Sequence, residues 1–70
     1  KWDIYYDSLK QYKKIYEDVL VPYSFTTSDG LKLGKWCADK REEYDSGNLN
    51  ELYIKKLNEL GFKWNINEFN

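Results

Sequence analysis

Seventy residues allow one small domain, and a net charge of −1 with 33% charged residues excludes a wholly basic nucleic-acid binder, leaving room only for a local basic patch. The chain has no His and one cysteine, Cys37, which removes disulfides, the usual zinc sites and His-based catalysis. No cofactor is expected. No apolar run approaches the ~18 residues of a membrane span, and the start, Lys1-Trp2-Asp3, is no signal peptide, so the expectation is a cytoplasmic domain taken from a longer protein.

A chain this short buries only about 60% of its unfolded surface, so its core needs large side chains. Aromatic residues make up 19% of the sequence, and each can bury roughly 150–250 Å². From the start, Trp2, Tyr5, Leu9, Tyr12, Tyr16 and Val19 recur in alternating steps of three and four, one stripe of a helix, with Ile4 and Ile15 widening it. Asp3, Asp7, Lys10, Lys14, Glu17 and Asp18 take the opposite face. The spacing predicts a first helix over about 2–18, ended by Leu20-Val21-Pro22, because proline lacks a donor and drives Val21 towards extended geometry. Thr26-Thr27-Ser28-Asp29-Gly30 reads as a turn. The connection is long for so small a domain, so Val21, Tyr23 and Phe25 are expected to pin it to the core.

A second helix is predicted over about 33–45. Leu33, Trp36, Cys37, Lys40 and Tyr44 share one side, Arg41 sits at its margin, and Lys35 and Asp39 pair on the outer face. Gly34 costs up to ~1 kcal/mol of helix propensity, which points to another backbone passing close by. Ser46-Gly47 stops the helix. Asn48 or Asn50 caps the third, the former with capping-box spacing to Glu51. Leu52, Tyr53, Leu57 and Leu60 form its inner face, with Ile54 at the edge. Gly61 is placed as the left-handed residue that ends it, with Phe62 packing back on Leu57. Trp64 then caps the core, and residues 65–70 are expected to fray. The fold expected is all-α, a compact three-helix domain over 1–64 with a long ordered loop between helices one and two. Its core is read as Trp2, Leu9, Tyr12, Tyr16, Leu33, Trp36, Cys37, Tyr44, Leu57, Phe62 and Trp64.

Trp2, Tyr5, Leu9 and Tyr12, Val21-Pro22-Tyr23, Leu33-Gly34-x-Trp36, Arg41, Tyr44, Gly47, Leu49, Leu57 and Gly61-Phe62-x-Trp64 follow an order and spacing that resembles the helicase-associated domain. The resemblance spans residues 2–64. It implies a three-helix accessory module, often in tandem copies in the C-terminal parts of bacterial proteins with helicase-like ATPase cores, and a role in nucleic-acid binding without established catalysis. The chain departs from the family pattern at two places. Lys40 stands where Gln commonly precedes the Arg of the second helix, and Tyr16-Glu17-Asp18-Val19-Leu20 replaces a Gly-His-like turn.

Lys40 and Arg41 are the sharpest candidates for phosphate contact. From the residues alone the favoured reading is that their stems cover Trp36 while the heads reach water or pair with Glu42, Glu43 or Asp45, since acidic residues follow at once. Lys10 and Lys14 on the first helix, with Lys13 beside its stripe, Lys32 and Lys35 entering the second, and Lys55 and Lys56 on the third would make a patch if the fold joined two of these groups. The expected phosphate contacts are Lys40 and Arg41, supported by Lys10, Lys14 and Lys35. The tryptophans read as core rather than base-stacking platforms, and Tyr6 as the tyrosine left exposed at the stripe's edge. Glu42-Glu43 and Glu17-Asp18 lack any neighbouring nucleophile or His, so no enzyme is expected. The rival reading is a protein-interaction or spacer module that docks on its parent helicase or on a tandem copy.

Overall fold

A computed structural model describes residues 2–64 and holds, among them, three helices and no strand: α1 (Trp2–Tyr16), α2 (Leu33–Asp45) and α3 (Glu51–Glu59). Leu9 from α1, Leu33, Trp36 and Cys37 from α2, and Leu57 from α3 meet in one buried cluster. Val19 and Val21 from the long loop, Leu49 and Phe62 complete it. Trp2, Tyr5, Tyr12, Phe25, Tyr53 and Trp64 pack around this centre half-buried. The domain is the all-α three-helix fold its periodicity predicts.

Each helix ends by an identifiable device. α1 stops two residues short of its predicted end, because Glu17 takes a left-handed φ of 64°. Its N–H donates to the Lys13 carbonyl at 2.7 Å, the single-bond left-handed ending. α2 ends with Gly47 at φ 78° and bonds from Gly47 N–H to Tyr44 and from Asn48 N–H to Glu43. α3 ends alike: Gly61 N–H donates to Asn58, and Phe62 N–H to Leu57 at 3.0 Å, the two bonds of a Schellman motif. At its start Asn50, not Asn48, is the cap, its side chain accepting from Leu52 N–H at 2.7 Å. Leu49, just before it, is buried, a core position the sequence reading left out.

The loop over 17–32 folds on itself. Phe25 N–H reaches the Pro22 carbonyl, Gly30 N–H the Thr27 carbonyl, and Leu31 N–H the Thr27 hydroxyl. It then closes onto α2, where Gly34 N–H donates to the Phe25 carbonyl at 3.1 Å. A Cβ on Gly34 would stand 1.9 Å from the Pro22 carbonyl oxygen. The close backbone that the mid-helix glycine implied is therefore the loop itself.

Several expected core positions lie at the surface. Tyr16 is 54% exposed, because the chain turns away at Glu17 and Val19 fills the space that a longer α1 would have covered. Tyr44 is 40% exposed at the end of α2, with one face stacked on Trp64 at 4.2 Å. Ile15 is 70% and Tyr23 66% exposed, so of the three residues expected to pin the loop Val21 and Phe25 do so, joined by Val19, and Ile4 and Leu52 also face solvent. Tyr6 is the reverse case. It is half-buried, its hydroxyl donating to the Lys56 carbonyl at 3.1 Å. The frayed tail expected at 65–70 lies outside the described residues.

Candidate functional site

Lys40 and Arg41 leave α2 beside Trp36, and both heads are engaged within the domain. The Lys40 ammonium donates to both Glu43 carboxylate oxygens at 3.1 Å and lies 5.6 Å from the Trp36 ring centroid, with only 15% of its side chain exposed. Arg41 Nε donates to the Lys63 carbonyl at 2.6 Å, and its guanidinium carbon sits 4.8 Å from the Phe62 centroid. Burial lowers the Arg41 pKa from its ordinary value, although a guanidinium remains protonated in such a setting. Arg41 thus fastens α2 to the segment after α3, through a cation–π contact and a charge-assisted hydrogen bond, while Lys40 is held within α2 by Glu43 and Trp36.

A different basic group forms where α1 meets α3. Lys10 from α1 and Lys56 from α3 place their ammonium groups 5.3 and 5.6 Å from the centroid of the same ring, Tyr6. Lys13 donates to the Leu60 carbonyl at 2.6 Å, a lysine satisfying a carbonyl at the negative end of α3. Lys14, one residue further along α1, is exposed and has no bonded partner among the described residues. Lys10 also pairs with Asp7 at 3.4 Å, an exposed contact of the kind worth at most ~1 kcal/mol. Spacing within one helix cannot reveal this convergence. The sequence shows Lys56 only as half of a basic pair on the third helix.

The tryptophans are committed to packing. Trp2 lies between Tyr6 at 4.8 Å and Tyr53 at 4.2 Å, both near-parallel, and meets Trp36 edge-on at 5.9 Å. Its Nε1–H finds no acceptor among the described residues. Tyr5 stacks on Trp36 at 5.5 Å, and Trp64 donates its Nε1–H to Asn58 at 2.7 Å.

Two hollows flank this framework. One, of about 310 Å³, is lined by Tyr5, Gly30, Lys32, Lys35, Trp36 and Asp39. There the Lys35 ammonium donates to Asp39 at 3.1 Å, and that hydrogen bond and charge raise the Lys35 pKa. The other, of about 210 Å³, runs between α1 and the loop past Tyr12, Ile15, Tyr16 and Phe25.

The family model described as helicase associated domain matches residues 1–65. The chain belongs to that family. No curated protein and no solved structure matches it.

As a helicase-associated domain the chain is an accessory module. No helix of its described residues is long and apolar enough to cross a membrane. In the stretch after the first helix Glu17 occupies a left-handed position, a conformation that glycine adopts without steric penalty. Cys37, the one thiol, is fully buried, and burial pushes its pKa up to about 12 despite the opposing charge of Arg41. Such a thiol is inert at neutral pH.

Proposed function

We propose that this helicase-associated domain is a non-catalytic cytoplasmic module that makes a weak, backbone-directed contact with nucleic acid on behalf of a larger helicase-like ATPase. The observation that carries the proposal is the convergence of Lys10 and Lys56 on Tyr6 from two helices. Two cations held against one ring from different helices attract a phosphate chain without reading bases. Lys14 extends the group along α1, whereas Lys35 belongs to the separate hollow beside Tyr5 and Trp36. Lys40 stands outside this contact set because its side chain is only 15% exposed, against 51% for Lys10, and Arg41 because its Nε holds the Lys63 carbonyl and its guanidinium lies on Phe62. Their role is to brace the domain.

The test is a titration of labelled single- and double-stranded DNA and RNA at ~50 mM salt, repeated as salt is raised. Binding that weakens steadily with salt is expected. No binding, or binding indifferent to salt, would overturn the phosphate-contact mechanism.

A second reading has its own support. Ile4, Ile15, Tyr16 and Leu52 are exposed, and the smaller hollow lies beside Ile15 and Tyr16. With a net charge of −1, these residues suit docking onto the parent helicase core or a tandem copy. Retention of such docking after Ile15→Asp would argue against it.

A further inference from the structure

We propose that the hollow between α1 and the start of α2 receives one unpaired nucleotide of a single strand, its base against Tyr5 and its phosphate at Lys32. This rests on the reading of the domain as a nucleic-acid module and adds a second contact, distinct from the lysines around Tyr6.

Three features of the hollow select this class of occupant. Its volume, about 310 Å³, lies at the lower end of ligand pockets, which begin near ~300 Å³. That leaves room for a single nucleotide and not for a folded partner. Its wall is aromatic: Tyr5, half-buried, lies at 5.5 Å and 4° from Trp36. The two rings form one flat, mutually supported aromatic wall of the hollow, the kind of platform on which a base stacks in a contact tolerant of sequence. The charge favours an anion. Lys32 and Lys35 outnumber Asp39, and Asp39 is already bonded to Lys35. Lys32 is exposed and its ammonium has no bonded partner among the described residues.

The backbone holds this mouth in shape. Lys32 sits at φ −82°, ψ 74°, with Leu33 N–H bonded to the Leu31 carbonyl, an inverse γ-turn that sets its side chain at the loop's edge. Gly30 forms the opposite lip at φ 89°, with open space where a Cβ would stand. A duplex keeps its bases stacked and paired, so it offers the hollow nothing to take in.

The experiment is a ¹H–¹⁵N NMR titration of the 70-residue chain with an oligothymidylate strand, a duplex of equal length, and inorganic phosphate. The strand should shift the amides of Gly30, Lys32 and Lys35 and the Trp36 indole N–H together, and the duplex should leave them in place. Lys32→Ala should weaken strand binding about fivefold, the scale of one lost phosphate contact, with duplex binding unchanged. Strand-induced shifts confined to Lys10, Lys14 and Lys56 would overturn the hollow and leave the backbone contact standing. Shifts at the hollow alone would support it and retire the backbone contact, and shifts at neither would end both. Phosphate alone shifting the hollow as strongly as the strand does would overturn recognition of a base.

Discussion

Gly34 and Pro22 approach so closely that a Cβ on the glycine would lie 1.9 Å from the proline's carbonyl oxygen, with the Tyr23 carbonyl also within 2.6 Å. Both obstacles are backbone, so neither can rotate aside. Gly34→Ala should therefore destabilise by about 3 kcal/mol or more, overriding the ~1 kcal/mol that alanine gains in helix propensity. Urea unfolding followed by circular dichroism checks this. A variant as stable as the parent would mean that the loop does not rest on α2.

Glu17 gives a prediction of the opposite sign. It holds φ 64° at the end of α1 with its side chain exposed, a conformation that costs a non-glycine residue about 1 kcal/mol or more. Glu17→Gly should raise stability by about 0.5–1 kcal/mol after the added freedom of the unfolded chain is set against it. Thermal melts of the two proteins measure the difference.

How much of this was legible beforehand depends on whether the cause was local. Gly61 and Phe62 announce a helix ending because the left-handed position and the apolar residue after it are adjacent in sequence, and the two Schellman bonds form there. Gly34 likewise betrays its close neighbour, since a glycine inside a helix has few other reasons to be there. Tyr16 and Val19 were misread in position because periodicity continues past the point where the backbone leaves the helix. Tyr16 remains outside while Val19 reaches the core from the loop. Side-chain partners depend on more than local spacing. Whether Lys40 bonds Glu43, or Lys10 and Lys56 share Tyr6, depends on rotamers and on packing between helices, which one-dimensional spacing does not encode.

Cys37 fixes the response to alkali. Its thiol is pushed from 9.0 up to about 12, chiefly by burial, so above pH 9 the folded chain keeps a proton that the unfolded chain releases. Stability from this group is complete below pH 9 and declines as pH rises from 9 towards 12. Tyr12, also raised mainly by burial, acts in the same direction. The urea midpoint should hold steady to about pH 8 and fall above 9, and Cys37→Ala should flatten that fall. At pH 8 a thiol reagent should label the native protein at least ~100-fold more slowly than the unfolded chain, since only opening exposes the sulfur.

Trp36 is the keystone of the aromatic packing, touching Tyr5 and Trp2 and lying under the Lys40 ammonium. Trp36→Ala should cost about 3–5 kcal/mol, enough to leave a domain of this size largely unfolded. Loss of the cooperative melting transition is the expected readout. A near-native transition would show that the core does not depend on it.

The central claim is that the basic group between α1 and α3, and not the Lys-Arg pair of α2, meets the nucleic acid. It is tested most directly by the salt dependence of binding in two double variants, Lys10→Ala with Lys56→Ala and Lys40→Ala with Arg41→Ala. The first should reduce the slope of log affinity against log salt by about 1.4–1.8, two phosphate contacts' worth, with melting little changed. The second should melt earlier yet, at a temperature where it remains folded, keep the parent's slope. A slope unchanged in the first variant and reduced in the second would contradict the account.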